Sequence, residues 1–171
     1  ETEGVNSVYL GILDHNNDLH LGINDMDIVK KITLEYIQSK IKYINSFPFL
    51  VIDNNLEEDV IHYLVKTYKH TIFMDAVSAH KVHKLREILP FITYLKVNQI
   101  ELQELSQKNN LSAQLQYLQE QNAQTVLITN QEKDIYVYQQ ELLRFPTTKV
   151  TTMVNASGAG DAFISGFIKG I

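Results

Sequence analysis

FPFLVID (residues 47–53) is a short apolar run that ends in an acid, and similar runs recur three times further along the chain. They are TIFMD (71–75), ITYLKVN (92–98) and TVLITN (125–130). Short apolar strands that alternate with helices are typical of a parallel sheet covered by helices on both faces. We therefore predict an α/β fold with a mostly parallel sheet.

Helical spacing of apolar residues follows the strands of this series. Asn55, with Glu58 three residues later, predicts a helix that Asn55 caps and that runs to about Lys69. The other predicted helices are residues 81–89, a stretch through Leu105, and residues 112–121.

The beginning of the chain has a different period. Apolar residues alternate in SVYLGILDHNNDLHLGIND (residues 7–25), which predicts two antiparallel strands joined near Asn16 and Asn17. We expect a hairpin segment over residues 1–26 and an α/β core over residues 27–171. The predicted apolar face of the hairpin consists of Val8, Leu10, Ile12, Leu19, Leu21 and Ile23.

Composition narrows the classes of function. Fifteen basic and twenty acidic residues give a net charge of −5 without a Lys/Arg-rich run, so a nucleic-acid polymer is not an expected partner. The absence of cysteine excludes disulfides and thiolate chemistry and is compatible with the cytosol. No window is apolar enough to span a membrane, and residues 1–15 lack the pattern of a signal peptide. We expect a soluble, cytoplasmic protein without a membrane partner.

Polar residues end all four predicted strands of the core. Asp53, Asp75, Asn98 and Asn130 each stand where an apolar run gives way to a loop. Open parallel sheets bind ligands at the carboxyl ends of their strands, so these residues together indicate a binding cleft. Asp and Asn are also favoured at loop starts and helix caps, which is the alternative interpretation of each position alone.

A glycine-rich turn precedes the last predicted helix, Asp161 to Ile171. Gly158, Ala159 and Gly160 place backbone N–H groups at the positive end of the helix dipole, where a phosphate can bind. Asp161 stands beside the same point and could take the proton of a hydroxyl that attacks phosphorus. The alternative is that Asp161 only stabilises the first turn of the helix.

NASGAGDAFISGF (residues 155–167) resembles the second signature of the PfkB carbohydrate kinases, the ribokinase-like family. Within that family, VIDNNL (51–56), FMDAVSAHKVHKL (73–85) and YLKVNQIELQELS (94–106) resemble blocks of the pseudouridine kinases in the same order. The resemblance covers nearly the whole chain. It also suggests an internal fragment that lacks both ends of a family member.

The resemblance implies an ATP-dependent, magnesium-dependent transfer of the γ-phosphoryl group to the 5′-hydroxyl of pseudouridine. Asp161 is then the catalytic base, and the backbone of residues 158–160 stabilises the transferred group. The hairpin corresponds to the family's lid, which implies a homodimer through that hairpin. The other expected roles are Asn98 and Glu101 for magnesium, through water, and for the phosphates, Asn130 for the nucleotide, and Asp53, Asp75 and Lys81 for the small-molecule substrate.

One segment departs from the family pattern. TNQEKD (residues 129–134) has no glycine where the family usually has a glycine pattern that contacts the nucleotide. The alternatives to pseudouridine phosphorylation are therefore a kinase of the same family for ribose or adenosine, and a non-catalytic remnant or interaction module. We expect the 171-residue chain by itself to be inactive or nearly so.

Overall fold

The computed structural model of the protein describes residues 4–14, 19–148 and 158–171. The chain divides into two compact units, one formed by Glu1–Lys31 with Lys149–Ile171 and the other by Ile32–Thr148. In chain order, the elements are β1 (Val8–Leu13), β2 (Leu19–Asp25), a 3₁₀ helix (Asp27–Lys31), α1 (Leu34–Ile44), β3 (Phe49–Asp53), α2 (Glu58–Thr67), β4 (Thr71–Asp75), a second 3₁₀ helix (Ala79–Phe91), β5 (Tyr94–Asn98), α3 (Gln99–Ser106), α4 (Leu111–Glu120), β6 (Thr125–Thr129), β7 (Ile135–Gln139), β8 (Glu141–Phe145) and α5 (Ala159–Gly170).

The first unit contains the predicted hairpin. β1 and β2 pair antiparallel, with Leu10 opposite Ile23 and Ile12 opposite Leu21, so these four side chains share one face. The side chains on this face are exposed to solvent in this unit. Residues 15–18, which include the predicted turn, and the side chain of Leu19 lie outside the described part of the chain.

The second unit contains a six-stranded sheet whose spatial order, β3-β4-β5-β6-β7-β8, is the order of the strands along the chain. β3, β4, β5 and β6 pair parallel, as the four apolar runs predict. β7 and β8 continue the sheet as antiparallel strands, and neither strand is among those predicted from the sequence. The sheet is therefore mostly parallel with an antiparallel edge.

One face of this sheet packs against the helices of the unit. Alternate residues of the parallel strands point to that face because side chains alternate along a strand. They form the main core together with side chains from the second 3₁₀ helix, α2, α3 and α4. The residues of the parallel strands in this core are Ile72, Met74, Leu95, Val97, Val126 and Ile128.

Two helices begin or wind differently from the expectation. α2 begins at Glu58 with Glu57 as its N-cap, so the prediction that Asn55 caps this helix is wrong. Asn55 lies two residues before this cap. It instead donates its backbone and side-chain N–H groups to the carboxylate of Asp53. The helix predicted over residues 81–89 is a 3₁₀ helix, and Lys81 donates to the carbonyl three residues back.

The structure confirms the predicted α/β class, with a mostly parallel sheet, helices and a separate two-stranded hairpin. Among the described residues, no helix has the length and apolarity that crossing a membrane requires. Within the unit Ile32–Thr148, the helices pack on one face of the sheet, so this unit shows the expected helical cover on one of the two faces.

Helix α3 offers a direct test of where the core lies. Leu102 is fully buried in the core and Ile100, on the same helix, is 65% exposed. We expect Leu102→Ala to lower the free energy of unfolding by about 2–5 kcal/mol, because it leaves a cavity. Ile100→Ala should change it by less than about 0.5 kcal/mol. Urea unfolding of both variants checks this, and equal losses would contradict the assigned core.

Candidate active site

Polar side chains meet at the carboxyl ends of β3, β4 and β5. Asp53 is the register partner of Asp75, and Asp75 is the register partner of Lys96. Register partners on parallel strands point to the same face, and Asn98, two residues beyond Lys96, shares it. These four side chains therefore leave the sheet on the face opposite the helical core. This edge is where open α/β sheets bind ligands.

Asp75 and Lys96 form a buried ion pair. The Lys96 ammonium donates to Oδ1 of Asp75 at 3.0 Å, and the two side chains are only 7% and 8% exposed. A charge at this depth is tolerated because its partner neutralises it and the hydrogen bond replaces water. Asp75 is among the site residues predicted from the sequence, whereas Lys96, in the middle of an apolar strand, is not.

Asn98 and Glu101 form a reciprocal capping box at the start of α3. Oδ1 of Asn98 accepts the N–H of Glu101 at 2.8 Å, and Oε2 of Glu101 accepts the N–H of Asn98 at 2.7 Å. Asn98 is also the last residue of β5, so strand and helix join without a loop. The capping box therefore fixes both side chains at the strand end before any ligand binds.

Glu101 is electrostatically part of the same cluster as the ion pair. Burial raises the pKa of the Glu101 carboxyl, and the Asp75 carboxylate adds to that rise. The hydrogen bond from the Asn98 N–H and the charge of Lys96 both lower the same pKa. The Lys96 ammonium thus interacts with two buried carboxyl groups, those of Asp75 and Glu101.

A second chain of contacts begins at Asp53. Both oxygens of Asp53 accept hydrogen bonds from Asn55, at 2.8 and 2.9 Å. Oδ1 of Asn55 in turn accepts the ammonium of Lys81 at 2.8 Å. Lys84 secures the same loop by donating to the carbonyl of Leu56 at 2.8 Å. Asn55 thus connects Asp53 and Lys81, two residues predicted to contact substrate.

Asn130 follows the end of β6, the strand next to β5. Its carbonyl accepts the N–H of Lys133 at 2.9 Å, which closes a tight turn toward β7. Gln131 in this turn has φ of 52°, a left-handed conformation that glycine adopts at lower cost. The glycine-free segment therefore still makes a tight turn, with a left-handed glutamine.

The glycine-rich turn begins α5 in the other unit. Gly158 is the N-cap with φ of 76°, a conformation that requires glycine or strains another residue. The first hydrogen bond within the helix runs from Ala162 N–H to the Gly158 carbonyl at 2.9 Å. The N–H groups of Ala159, Gly160 and Asp161 precede that bond, as the anion-site interpretation expects. The Asp161 side chain is exposed in the first turn.

The predicted site residues fall into the two units. Gly158, Ala159, Gly160 and Asp161 belong to the unit that contains the hairpin, and residues 155–157 of the signature lie outside the described part of the chain. The unit Ile32–Thr148 contains the remaining predicted residues, which are Asp53, Asp75, Lys81, Asn98, Glu101 and Asn130.

Sequence reasoning missed two polar residues of this cluster. Asn55 was interpreted as a helix cap, although an Asn two residues after an acid also suits a local hydrogen-bonded loop. Lys96 carries a usable signal, because a lysine flanked by Leu95 and Val97 in a buried strand needs a buried partner. Its identity as the partner of Asp75 depends on the strand register, which the sequence does not show.

The oxygen donors of Asn98 and Glu101 suit magnesium, which retains water ligands, better than they suit a metal ion whose ligands are all protein side chains. Among the described residues, no group of three or more His, Cys, Asp or Glu side chains could hold a metal ion. Asn98 and Glu101 offer oxygen atoms, each of which has acceptor capacity beyond its capping hydrogen bond. Mg²⁺ takes oxygen ligands, retains several waters and often relies on substrate phosphates, so two such residues suit it.

Comparison with known proteins assigns the family. The sequence profile of the pfkB family carbohydrate kinases matches residues 2–171. The chain belongs to the PfkB family. The predicted family resemblance is thereby confirmed.

Individual relatives agree with this PfkB assignment. The pseudouridine kinase of Escherichia coli (strain K12) is 27% identical over 169 residues, which cover 94% of this chain and 53% of that protein. The ribokinase of Thermotoga maritima superposes with a TM-score of 0.80 at 18% identity, over 95% of this chain and 55% of its own. A ribokinase of Arabidopsis thaliana complexed with ribose and ATP gives a TM-score of 0.64 at 15% identity, over 76% and 45%. The predicted ribokinase-like fold is confirmed.

The PfkB chain spans about half the length of the curated relatives that it matches, 53% of one and 47% of another. The family signature around Asp161 and the strand-end residues both lie within the matched range, residues 2–171.

The capping box predicts how Asn98 can be altered without unfolding the site. Asn98→Ala should lower the free energy of unfolding by about 1 kcal/mol, because it removes the acceptor for the Glu101 N–H. Asn98→Ser should lose less, since serine also caps helices.

Asn110→Ala is the matched control, because the Asn110 side chain caps α4 in the same way by accepting the Ala113 N–H at 2.9 Å. Urea unfolding of all three variants provides the measurement. A loss for Asn98→Ser that equals the loss for Asn98→Ala would show that the cap is not the cause.

Proposed function

We propose that this chain is part of an ATP-dependent kinase that phosphorylates an alcohol of a sugar or nucleoside. The observation that carries the proposal is the start of α5, where Gly158 caps the helix in a left-handed conformation three residues before Asp161. Family membership and ATP in a ribokinase of the same fold support it. We also propose a cytoplasmic location, which a sequence without cysteine is compatible with.

Asp161 is the proposed base. Its exposed carboxylate accepts the proton of the acceptor hydroxyl as the hydroxyl oxygen attacks the γ-phosphorus of ATP. The bond between the γ-phosphorus and its bridging oxygen breaks, and ADP leaves. The N–H groups of Ala159 and Gly160 then donate to the oxygens of the transferred phosphoryl group, where negative charge is concentrated. A base and an anion site within one helical turn suit phosphoryl transfer because positioning and electrostatics supply most of the rate.

Asn98 and Glu101 are the proposed residues for the phosphates and for magnesium. The capping box keeps their oxygens in place at the end of β5, where they would hold the ion through water. A magnesium ion held there would supply positive charge to the phosphates during transfer. Asn130, which follows the neighbouring strand, is the proposed nucleotide contact.

Asp53, Asp75 and Lys81 are the proposed acceptor contacts, and the 5′-hydroxyl of pseudouridine is the proposed acceptor. Carboxylates at a strand end accept hydrogen bonds from sugar hydroxyls, and a lysine can donate to a carbonyl or hydroxyl. The 27% identity to a pseudouridine kinase favours this substrate. Ribose and adenosine are the alternative acceptors, because the Asp161 chemistry serves any of these alcohols.

A non-catalytic interaction module is the second candidate. The observation in its favour is the turn at Asn130 to Asp134, which lacks glycine and holds Gln131 in a left-handed conformation. If no nucleotide can bind at this turn, the protein would keep the fold of the family but would not phosphorylate a substrate. Nucleotide binding therefore separates the two candidates.

The kinase proposal is tested by phosphorylation of pseudouridine, ribose and adenosine with ATP and Mg²⁺. We expect activity from the natural gene product that contains this chain, with a preference for pseudouridine, and little or none from the 171 residues alone. Asp161→Asn should lower kcat on the order of a hundred- to ten-thousand-fold, because the base is lost.

Asp59→Asn is the matched control, since Asp59 is also an exposed acid in the first turn of a helix, α2, and has no proposed catalytic role. It should retain full activity. Normal turnover by Asp161→Asn would remove the base assignment, and no turnover or ATP binding by the natural protein would favour the interaction module.

We further propose that the hairpin pairs with the hairpin of a second copy of this chain. Its apolar face presents Val8, Leu10, Ile12, Leu21 and Ile23, which are 43–56% exposed. A two-stranded hairpin is marginally stable in water unless its apolar face is covered. A second copy offers the same face, so two hairpins can cover each other about a two-fold axis.

A charge on either face of the hairpin tests the dimer. Leu10→Lys should convert a dimer into a monomer, because it places an ammonium in the apolar contact. Asn24→Lys adds the same charge on the opposite face, where Asn24 pairs with Tyr9, and should leave the dimer intact. Sedimentation velocity measures the mass of each, and a wild-type monomer or equal dissociation by both variants would contradict the proposal.

A further inference from the structure

Lys96 is a buried cation for which the proposed roles above give no function. It lies in β5 between Leu95 and Val97, which point into the helical core, while Lys96 points to the opposite face. Its ammonium donates to Oδ1 of Asp75, and both side chains are more than nine-tenths buried. The pair lies at the edge of the sheet where the acceptor is expected.

Stability alone gives weak reason for this ion pair. Two charges removed from water lose their hydration, and their attraction often does no more than offset that loss. Apolar residues of similar size would hold two adjacent strands equally well. A buried pair beside strand-end polar groups is therefore a candidate for function rather than for packing.

We propose that Lys96 is a positioning residue that orients the Asp75 carboxylate toward the acceptor alcohol. This inference rests on the proposed kinase function and deepens it. Because the register places Asp75 and Lys96 side by side, the ammonium reaches Oδ1 directly and restricts rotation of the carboxylate. Asp75 then meets the acceptor already oriented, and binding need not order it.

Lys96 also separates the two halves of the proposed site. Asp75 lies toward Asp53 on the acceptor side, and Glu101 lies on the phosphate side with Asn98. The Lys96 ammonium contacts Asp75 directly, whereas the capping box on the phosphate side is formed by Asn98 and Glu101 with each other.

Four variants test the inference in the natural protein: Lys96→Met, Asp75→Asn, their double variant, and Lys96→Arg. The measurements are the dissociation constant of pseudouridine by calorimetry without nucleotide, the KM values of pseudouridine and ATP, and kcat. Lys66→Met is the control, because Lys66 is an exposed lysine of α2 that undergoes the same substitution.

We expect Lys96→Met to weaken pseudouridine binding on the order of ten- to a hundredfold. This is the effect of losing a hydrogen bond to a charged group, here the bond between the acceptor and an Asp75 carboxylate that is no longer oriented. The KM of ATP should change by less than about threefold, since Asn98 and Glu101 remain capped. Lys96→Arg should bind better than Lys96→Met because it retains the charge, and Lys66→Met should match the wild type. A purely structural lysine would lower the unfolding midpoint without this selective rise in one KM.

The double variant decides whether Lys96 acts through Asp75. It should bind pseudouridine as weakly as Asp75→Asn alone, because no carboxylate remains to be oriented. This comparison stands even if Lys96→Met fails to fold, since the double variant has no lone buried charge. A further tenfold loss in the double variant, or a folded Lys96→Met that binds like the wild type, overturns the inference.

Failure of the underlying function looks different. A wild-type protein that binds none of pseudouridine, ribose and adenosine overturns the proposed kinase function and this inference with it. A wild type that binds one of them, together with a Lys96→Met variant that binds it equally well, overturns the role of Lys96 alone.

Discussion

Parallel pairing of β3, β4, β5 and β6 is the constraint on which the other features of this protein depend. Parallel strands need a crossover between each pair, so the helices between them have to pack back onto the sheet. Here they cover one face of it, and the alternation of side chains sends Asp53, Asp75, Lys96 and Asn98 to the other. The same pairing sets the carboxyl ends of the strands side by side. The proposed site is thus a consequence of strand direction before any single residue is considered.

The polar residues at that edge are held by one another. Asp75 is held by Lys96, Asn98 and Glu101 cap each other, and Asn55 connects Asp53 to Lys81. Each of these contacts satisfies a group that burial would otherwise penalise. A site built this way is ordered without its substrates, so binding spends little free energy on arranging it.

Much of this arrangement could be predicted from local sequence. Apolar runs that end in a polar residue predicted the four parallel strands, because such a run has few other stable environments. β7 and β8 were missed because the sequence prediction followed apolar runs that alternate with helices, and no helix separates β6, β7 and β8. The β7 segment IYVYQ nevertheless carries a strand signal in its β-branched and aromatic residues. The role of Asn55 was misjudged because capping a helix and bonding a nearby carboxylate demand the same side chain.

The contact between Asp75 and Lys96 lay beyond sequence reasoning for a different reason. It joins residues 21 positions apart, and only the register of β4 against β5 places them together. A shift of one residue would turn every side chain of the strand to the other face. Local patterns therefore predicted which residues end the strands, and tertiary pairing determined which of them touch.

The agreement between strand order and chain order has a kinetic consequence. In the sheet of the second unit, each strand pairs only with the strands before and after it along the chain. Most native pairing therefore joins neighbouring segments of the chain, and each crossover is shorter than the closure that a non-sequential strand order would need. Such a unit can start folding at any strand–helix–strand repeat and extend in both directions, much as stacked repeats do. Its growth during synthesis can follow the emergence of the chain, one strand at a time.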